Sequence, residues 1–184
     1  IVQCLNIDYD NSHMGRSLMS TVISYPYHKV ANDGISVENV HIVVANSHFE
    51  STFRKFNNEK LKQYETARIA LDSMFQTHAN VILCSDTNVM SHEEKQFEEQ
   101  FDKYGWFDAW KLKGNGGNNY TYDSDDNIYL KTRHQKVKYK SRIDRILFKS
   151  TMCVIDKFST IRANENEIEP SDHFGICAKF NIVK

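Results

Sequence analysis

The chain has 184 residues, enough for one domain with a substantial core or for part of a larger one. With 40% hydrophobic and 12% aromatic residues, 7 Gly and 2 Pro, it is neither disordered nor collagen-like. The balance of 23 basic against 24 acidic residues excludes a uniformly basic nucleic-acid coat and leaves room for a local basic groove.

In chain order, residues 16–25 are rich in β-branched types and predict a strand that Pro26 ends or marks as an edge. Asn32-Asp33-Gly34 is a turn signal, and 39–47 is an apolar strand core running into His48-Phe49-Glu50-Ser51. Leu61, Tyr64, Ala67, Leu71, Met74 and Phe75 recur at three- and four-residue spacing and predict one helix face. A short apolar strand over 81–84 leads into Ser85-Asp86-Thr87-Asn88. Ser91 with Glu94 reads as a capping box for a helix whose stripe is Phe97, Phe101 and Tyr104 and whose end is Gly105. Residues 111–140 lose periodicity, and Gly114-Asn115-Gly116-Gly117 lacks the Lys-Ser/Thr of a phosphate-binding P-loop. Strands return over 142–148 and 175–183, separated by a polar loop ending in Pro170-Ser171-Asp172-His173. Alternating strands and helices with long polar loops predict a layered α/β or α+β domain.

No apolar run reaches the roughly 18 residues of a membrane helix, and no secretory signal opens the chain, so an intracellular, nuclear or cytoplasmic site is expected. A first residue other than Met predicts a processed, trimmed or incomplete chain. Cys4, Cys84, Cys153 and Cys177 have no zinc-site spacing and read as structural thiols of a reducing compartment, with Cys84 and Cys177 as small buried hydrophobes.

Four strand ends carry chemistry: Asn46-Ser47-His48, Asp86-Thr87-Asn88, Arg142-Ile143-Asp144-Arg145 and Ser171-Asp172-His173. Rigid strand ends hold groups precisely enough for catalysis. Carboxylates, an amide and imidazoles together suit metal-assisted hydrolysis: a carboxylate deprotonates water, an amide positions it, and imidazoles stabilise an anionic phosphoryl group. Each piece alone has a plain reading as turn, cap, salt-bridged strand face or interior histidine.

Taken in order, these segments resemble the endonuclease/exonuclease/phosphatase superfamily, the deoxyribonuclease-I-like fold. The segments SHFES, SDTN, NYTYD, IDRILF and PSDHFGI, with Met14-Gly15-Arg16 ahead of a strand, are most similar to its tyrosyl-DNA phosphodiesterase 2 branch. The resemblance implies a four-layer α-β-β-α sandwich, of which residues 1–184 are the C-terminal portion, lacking N-terminal strands. The family's Asn-bearing first strand and Gln-Glu motif, whose Glu is the principal metal ligand, are not found before Met14; Ser85 replaces the usual Gly, and Tyr122 stands where the branch tends to have Trp.

The resemblance further implies a Mg²⁺-dependent phosphodiesterase (Mn²⁺ as a substitute) acting on 5′-phosphotyrosyl DNA in the repair of topoisomerase adducts. Asp86 would activate water, Asn88 would position it, His173 would stabilise phosphoryl oxygens with its tautomer held by Asp144, and His48 would add a phosphate contact. Asp172 would lie at the metal, and Ser51, Arg54 and Tyr122 would touch substrate. The rivals are another phosphoesterase of this fold (abasic-site endonuclease, deadenylase or phospholipid phosphodiesterase) and an inactive fragment or binding module lacking the metal Glu. Val43, Val81, Leu83, Ile146 and Phe148 are expected as inner-face or central-strand residues whose partners partly lie upstream, so that this segment alone would expose apolar surface.

Overall fold

The computed structural model describes residues 1–31, 34–51, 57–114, 116, 120–132, 138–163, 167 and 169–183. A six-stranded sheet runs in the order β1 (Gln3–Asp8), β2 (Ser17–Ala31), β3 (Gly34–His48), β4 (Asn80–Asp86), β8 (Asp144–Ser150) and β5 (Phe107–Asp108). Only β3 and β4 are parallel, joined through α1 (Asn57–His78); the other neighbours are antiparallel. A second sheet pairs β9 (Cys153–Ile161) with β10 (Gly175–Ile182), and a small ribbon pairs β6 (Tyr122–Asp123) with β7 (Lys140–Ser141). Short helices α2 (Glu94–Phe101), α3 (Ala109–Lys113) and α4 (Ile128–Thr132) complete the described elements.

The large sheet is buried on both faces at its centre. On one face Val43, Ala45, Val81 and Leu83 pack against Tyr64, Ala67 and Leu71 of α1 and Phe97 and Phe101 of α2. On the other, Ile146 and Phe148 meet Ala109, Ile155 and Phe158, with Phe180 edge-on to Phe148 at 5.0 Å. All five of the expected residues lie in the central strands β3, β4 and β8, and it is their expected upstream partners that are corrected. Val43, Val81 and Leu83 face the helices, Ile146 and Phe148 face the second sheet, and all five find partners within the chain. The apolar surface left open is elsewhere on the inter-sheet side, where Met19 and Val44 of β2 and β3 are 57% and 37% exposed.

Local chemistry explains most boundaries. Pro26 marks an edge: β1 pairs with β2 only from Ser17 to Val22, so at Pro26 the strand has one partner, where a missing N–H is tolerated. Asn32 and Asp33 of the expected turn lie outside the described residues, while Gly34, at φ +137°, opens β3 opposite Ala31. The capping acid is Glu93, not Glu94: its carboxylate accepts from the Met90 N–H at 2.9 Å, leaving Glu94 free to bind arginines. Tyr104 lies beyond α2 and is not in the apolar stripe; the Arg68 guanidinium covers its ring at 3.6 Å. Cys177, on the outer side of β10, is exposed rather than buried; the four cysteines are free thiols.

Five strands lie outside the expected spans: the two-residue β5, β6 and β7, and the longer β1 and β9. β1 is an exposed edge strand of mixed polarity, and β9 lies in the span expected as polar loop because its buried residues, Cys153, Ile155 and Phe158, break period two. The break is a bulge: Lys179 pairs with Lys157 but Phe180 with Ile155, which leaves Asp156 unopposed.

Gly105 ends the 3₁₀ turn Asp102–Tyr104 that follows α2, at φ +79°, its N–H donating to the Asp102 carbonyl at 3.1 Å. A Cβ built there meets nothing nearer than Lys149 Cε at 3.9 Å, so only backbone strain opposes a side chain. Gly105→Ala is expected to cost about 1 kcal/mol in urea unfolding; an unchanged midpoint would show that the turn rearranges freely.

Candidate active site

The sheet's register assembles the site. His48 ends β3, Asp86 ends β4 and Asp144 begins β8, and the pairings His48 with Asp86 and Asp86 with Asp144 place all three in one row across adjacent strands. Directly opposed residues share a face. Two and four residues back along β4 on that face stand Cys84 and Ile82, which pack toward the second sheet. The row thus opens on the inter-sheet side, beside the loop that delivers His173 to the start of β10.

The row carries two imidazole–carboxylate pairs. His48 Nε2 lies 3.1 Å from Asp86 Oδ2, and His173 Nδ1 lies 2.9 Å from Asp144 Oδ2. Ligand atoms of Asp86, Asp144 and His173 all fall within 4.8 Å of one another. Asn88 joins the group with its N–H donating to Asp86 Oδ1 at 3.0 Å and its Nδ2 to the Phe49 carbonyl at 2.9 Å. Its φ of +50° is left-handed, a region Asn enters more readily than most residues.

The surroundings drive these groups apart in proton affinity. Burial raises Asp86 above the usual carboxylate range and the Asp144 charge adds to this, only partly offset by His48, the Asn88 N–H and His173. Burial opposes charge on His173, yet the hydrogen bond and charge of Asp144, with Asp86 and Asp172, outweigh it and hold the imidazole above its ordinary value. His48 moves the other way: burial, reinforced by Arg16 and His173, overcomes the pull of Asp86 and Asp144. One imidazole favouring the cation and one favouring neutrality, beside a carboxylate that gains basicity, is the pattern of an acid–base site.

Neighbouring segments fix the loops. Thr121 Oγ1 accepts from the N–H groups of Ile143 and Asp144, and its carbonyl accepts from Phe174 N–H at 2.7 Å, so one residue locks β8 to the His173 loop. The Asn127 side chain donates to the Ser171 carbonyl at 3.0 Å. The Tyr122 ring stands edge-on to His173, centroids 5.6 Å apart. Behind the row, Arg145 is fully buried and stacks on Phe97, bonded to Glu94 and Asp108; Arg142 reaches the same two acids. In sequence, Asp144 lies between those two anchored arginines. A groove of about 630 Å³ runs from Asp144 and His173 towards Arg162 and Glu169.

Of the residues expected from sequence, His48, Asp86, Asn88, Asp144 and His173 converge, with Tyr122 beside them. Asp172 stands outside the tight cluster, within hydrogen-bond reach of Ser171 Oγ at 3.4 Å, and contributes its charge to His173. Ser51 Oγ approaches Met14 Sδ at 3.3 Å, on the rim rather than in the row. Arg54 lies outside the described residues. Thr121, within NYTYD, and Arg16, within Met14-Gly15-Arg16, belong to quoted segments but are not among the expected site residues; the Arg16 charge acts on His48.

No family model and no curated protein sequence matches the chain. Solved structures do. TDP2 from D. rerio, complexed with single-strand DNA product, superposes with a TM-score of 0.72 at 22% identity, over 98% of this chain and 67% of that one. Truncated TDP2 from Caenorhabditis elegans gives 0.69 at 22%, over 97% and 64%. The human Nocturnin catalytic domain with bound sulfate gives 0.61 at 16%, over 99% and 59%. This chain has the endonuclease/exonuclease/phosphatase, deoxyribonuclease-I-like fold. It spans 64% of the truncated C. elegans chain and 67% of the D. rerio chain.

Proposed function

We propose that the protein is a divalent-metal-dependent phosphodiesterase that hydrolyses a 5′-phosphotyrosyl–DNA bond. The observation that carries the reading is the row of His48, Asp86 and Asp144 at three strand ends, closed by His173. Asp86, made more basic by burial, accepts a proton from water that Asn88 orients. His173, whose imidazole Asp144 biases towards the cation, donates to the phosphoryl oxygens, and His48 adds a contact from the opposite side. The Tyr122 ring beside His173 offers an aromatic wall to a phenolic leaving group or a base, and Ser51 and Arg54 are assigned to substrate. The DNA-bound D. rerio relative supports nucleic acid as the partner.

The carboxylates of Asp86, Asp144 and neighbouring Asp172 are the hard oxygen donors that Mg²⁺ or Mn²⁺ accepts. A bound ion would offset charge developing on the phosphate. We assign the remaining metal carboxylate, and strands covering Met19 and Val44, to sequence outside these 184 residues. No described helix is long and apolar enough to cross a membrane; an intracellular, DNA-associated site follows from the proposed substrate.

The test is a comparison of kcat/KM in the intact protein on a 5′-phosphotyrosyl oligonucleotide, an abasic-site duplex, an oligoadenylate and a phosphomonoester. The reading expects the first to exceed the rest by at least tenfold; a preference for another would assign a different chemistry on the same fold. The pH profile is a second test. Because Asp144 raises His173, Asp144→Asn should move the basic limb of kcat/KM to lower pH, while the acid limb, set by Asp86, should also fall because a neighbouring negative charge is gone. A basic limb that stays in place would remove His173 from the role of cation.

A further inference from the structure

We propose that Lys60 is a positioning residue that holds Asn88 in its left-handed conformation by gripping its carbonyl from behind the site. Lys60 Nζ donates to the Asn88 carbonyl at 3.0 Å and pairs with Glu93 Oε2 at 2.6 Å. Both residues are buried, at 2% and 7% exposure, and Glu93 also accepts the Met90 N–H. A lysine in such a place would be an expensive way to fill space, since an apolar residue would need no countercharge. What a leucine or methionine could not supply is a donor to the one carbonyl in the Asp86–Asn88 turn whose residue has positive φ.

The rest of α1 acts on the same loops. One turn along from Lys60, Tyr64 Oη donates to the preceding carbonyl, Thr87, at 2.5 Å, and burial keeps that phenol protonated by raising it well above its usual value. Gln63 Oε1 accepts the Glu50 N–H at 2.8 Å, just after the Phe49 carbonyl that receives the Asn88 amide. Lys60, Gln63 and Tyr64 share a helix face by their spacing. They therefore fix the backbones on both sides of the Asn88 amide, one through Thr87 and Asn88 and the other through Glu50. Lys60 touches no reacting group; it acts through Asn88.

This inference takes its kinetic readout from the phosphodiesterase reading, so the experiment includes a measurement independent of turnover. The double variant Lys60→Met/Glu93→Gln removes both charges while retaining an acceptor for the Met90 N–H. It is compared with the parent, in the intact protein, by urea unfolding, by kcat and KM on a 5′-phosphotyrosyl oligonucleotide, and by amide hydrogen exchange. A positioning role predicts a folded variant whose kcat falls at least tenfold with KM within threefold. It also predicts Asn88 amide exchange at least tenfold faster, with Leu83 in β4 unchanged. A purely structural ion pair predicts parental kcat and Asn88 exchange once the variant folds, and that result overturns the proposal. If the parent turns over no phosphoester, the functional reading falls, and the Asn88 exchange result alone decides Lys60. Should the double variant fail to fold, Lys60→Gln, which keeps a donor of shorter reach, is measured by the same exchange experiment with the same two outcomes.

Discussion

Asp86→Asn in the intact protein is expected to lower kcat by a factor on the order of 10²–10⁴ while changing KM little. The amide keeps the shape and still accepts the Asn88 N–H that the carboxylate accepts at 3.0 Å, so the turn survives. What it loses is the capacity to take a proton, which burial and Asp144 enhance in the parent. The contact with His48 Nε2 at 3.1 Å persists in weaker form, and substrate binding through His173 and the rim is left in place. Steady-state kinetics checks this directly: a loss confined to KM would make Asp86 a binding group, and parental kcat would remove it from the chemistry.

The largest stability effect is expected behind the row. Asp108 is 5% exposed and bonds Arg142 at 2.6 Å and Arg145 at 3.3 Å, two cations that are themselves buried. It also caps α3 by accepting the Trp110 N–H at 2.9 Å. Asp108→Ala leaves both guanidiniums with Glu94, which is more exposed, as their shared anion, and breaking a buried pair from one side costs about 3–5 kcal/mol. Because Asp144 sits between the two arginines in sequence, activity should fall with stability rather than after it. A urea midpoint shifted by less than about 1 kcal/mol equivalent would show that Glu94 satisfies both cations unaided.

The convergence of the site was legible because its residues stand at ends of strands that the sequence marks clearly. The apolar runs before His48 and Asp86 and after Asp144 fix where each strand stops, and strand ends in register must be neighbours. The orientation of those strands was not legible. Val81-Ile82-Leu83-Cys84 is buried or half-buried on both faces, so no period tells which residues meet helices and which meet the second sheet. The β9 strand was hidden by the bulge at Asp156, which breaks the alternation a reader relies on. Glu93 and Glu94 are adjacent acids whose roles are decided by partners far along the chain: Lys60 for one, Arg142 and Arg145 for the other. Such pairings arise from packing, and local sequence carries no trace of them. Tyr104 illustrates the same limit in reverse, since its helical spacing from Phe101 is real but the chain has left the α-helix before reaching it.

Single-turnover hydrolysis tests the proposal that the row of His48, Asp86 and Asp144 closed by His173 breaks a phosphodiester with a divalent cation. Excess intact protein is mixed with a 5′-phosphotyrosyl oligonucleotide across a Mg²⁺ titration, with a chelator as the zero point. Release of a 5′-phosphorylated oligonucleotide and free tyrosine is expected to saturate with Mg²⁺ and to vanish in chelator. Substrate that remains intact at every concentration of Mg²⁺, and of Mn²⁺ in its place, would contradict it.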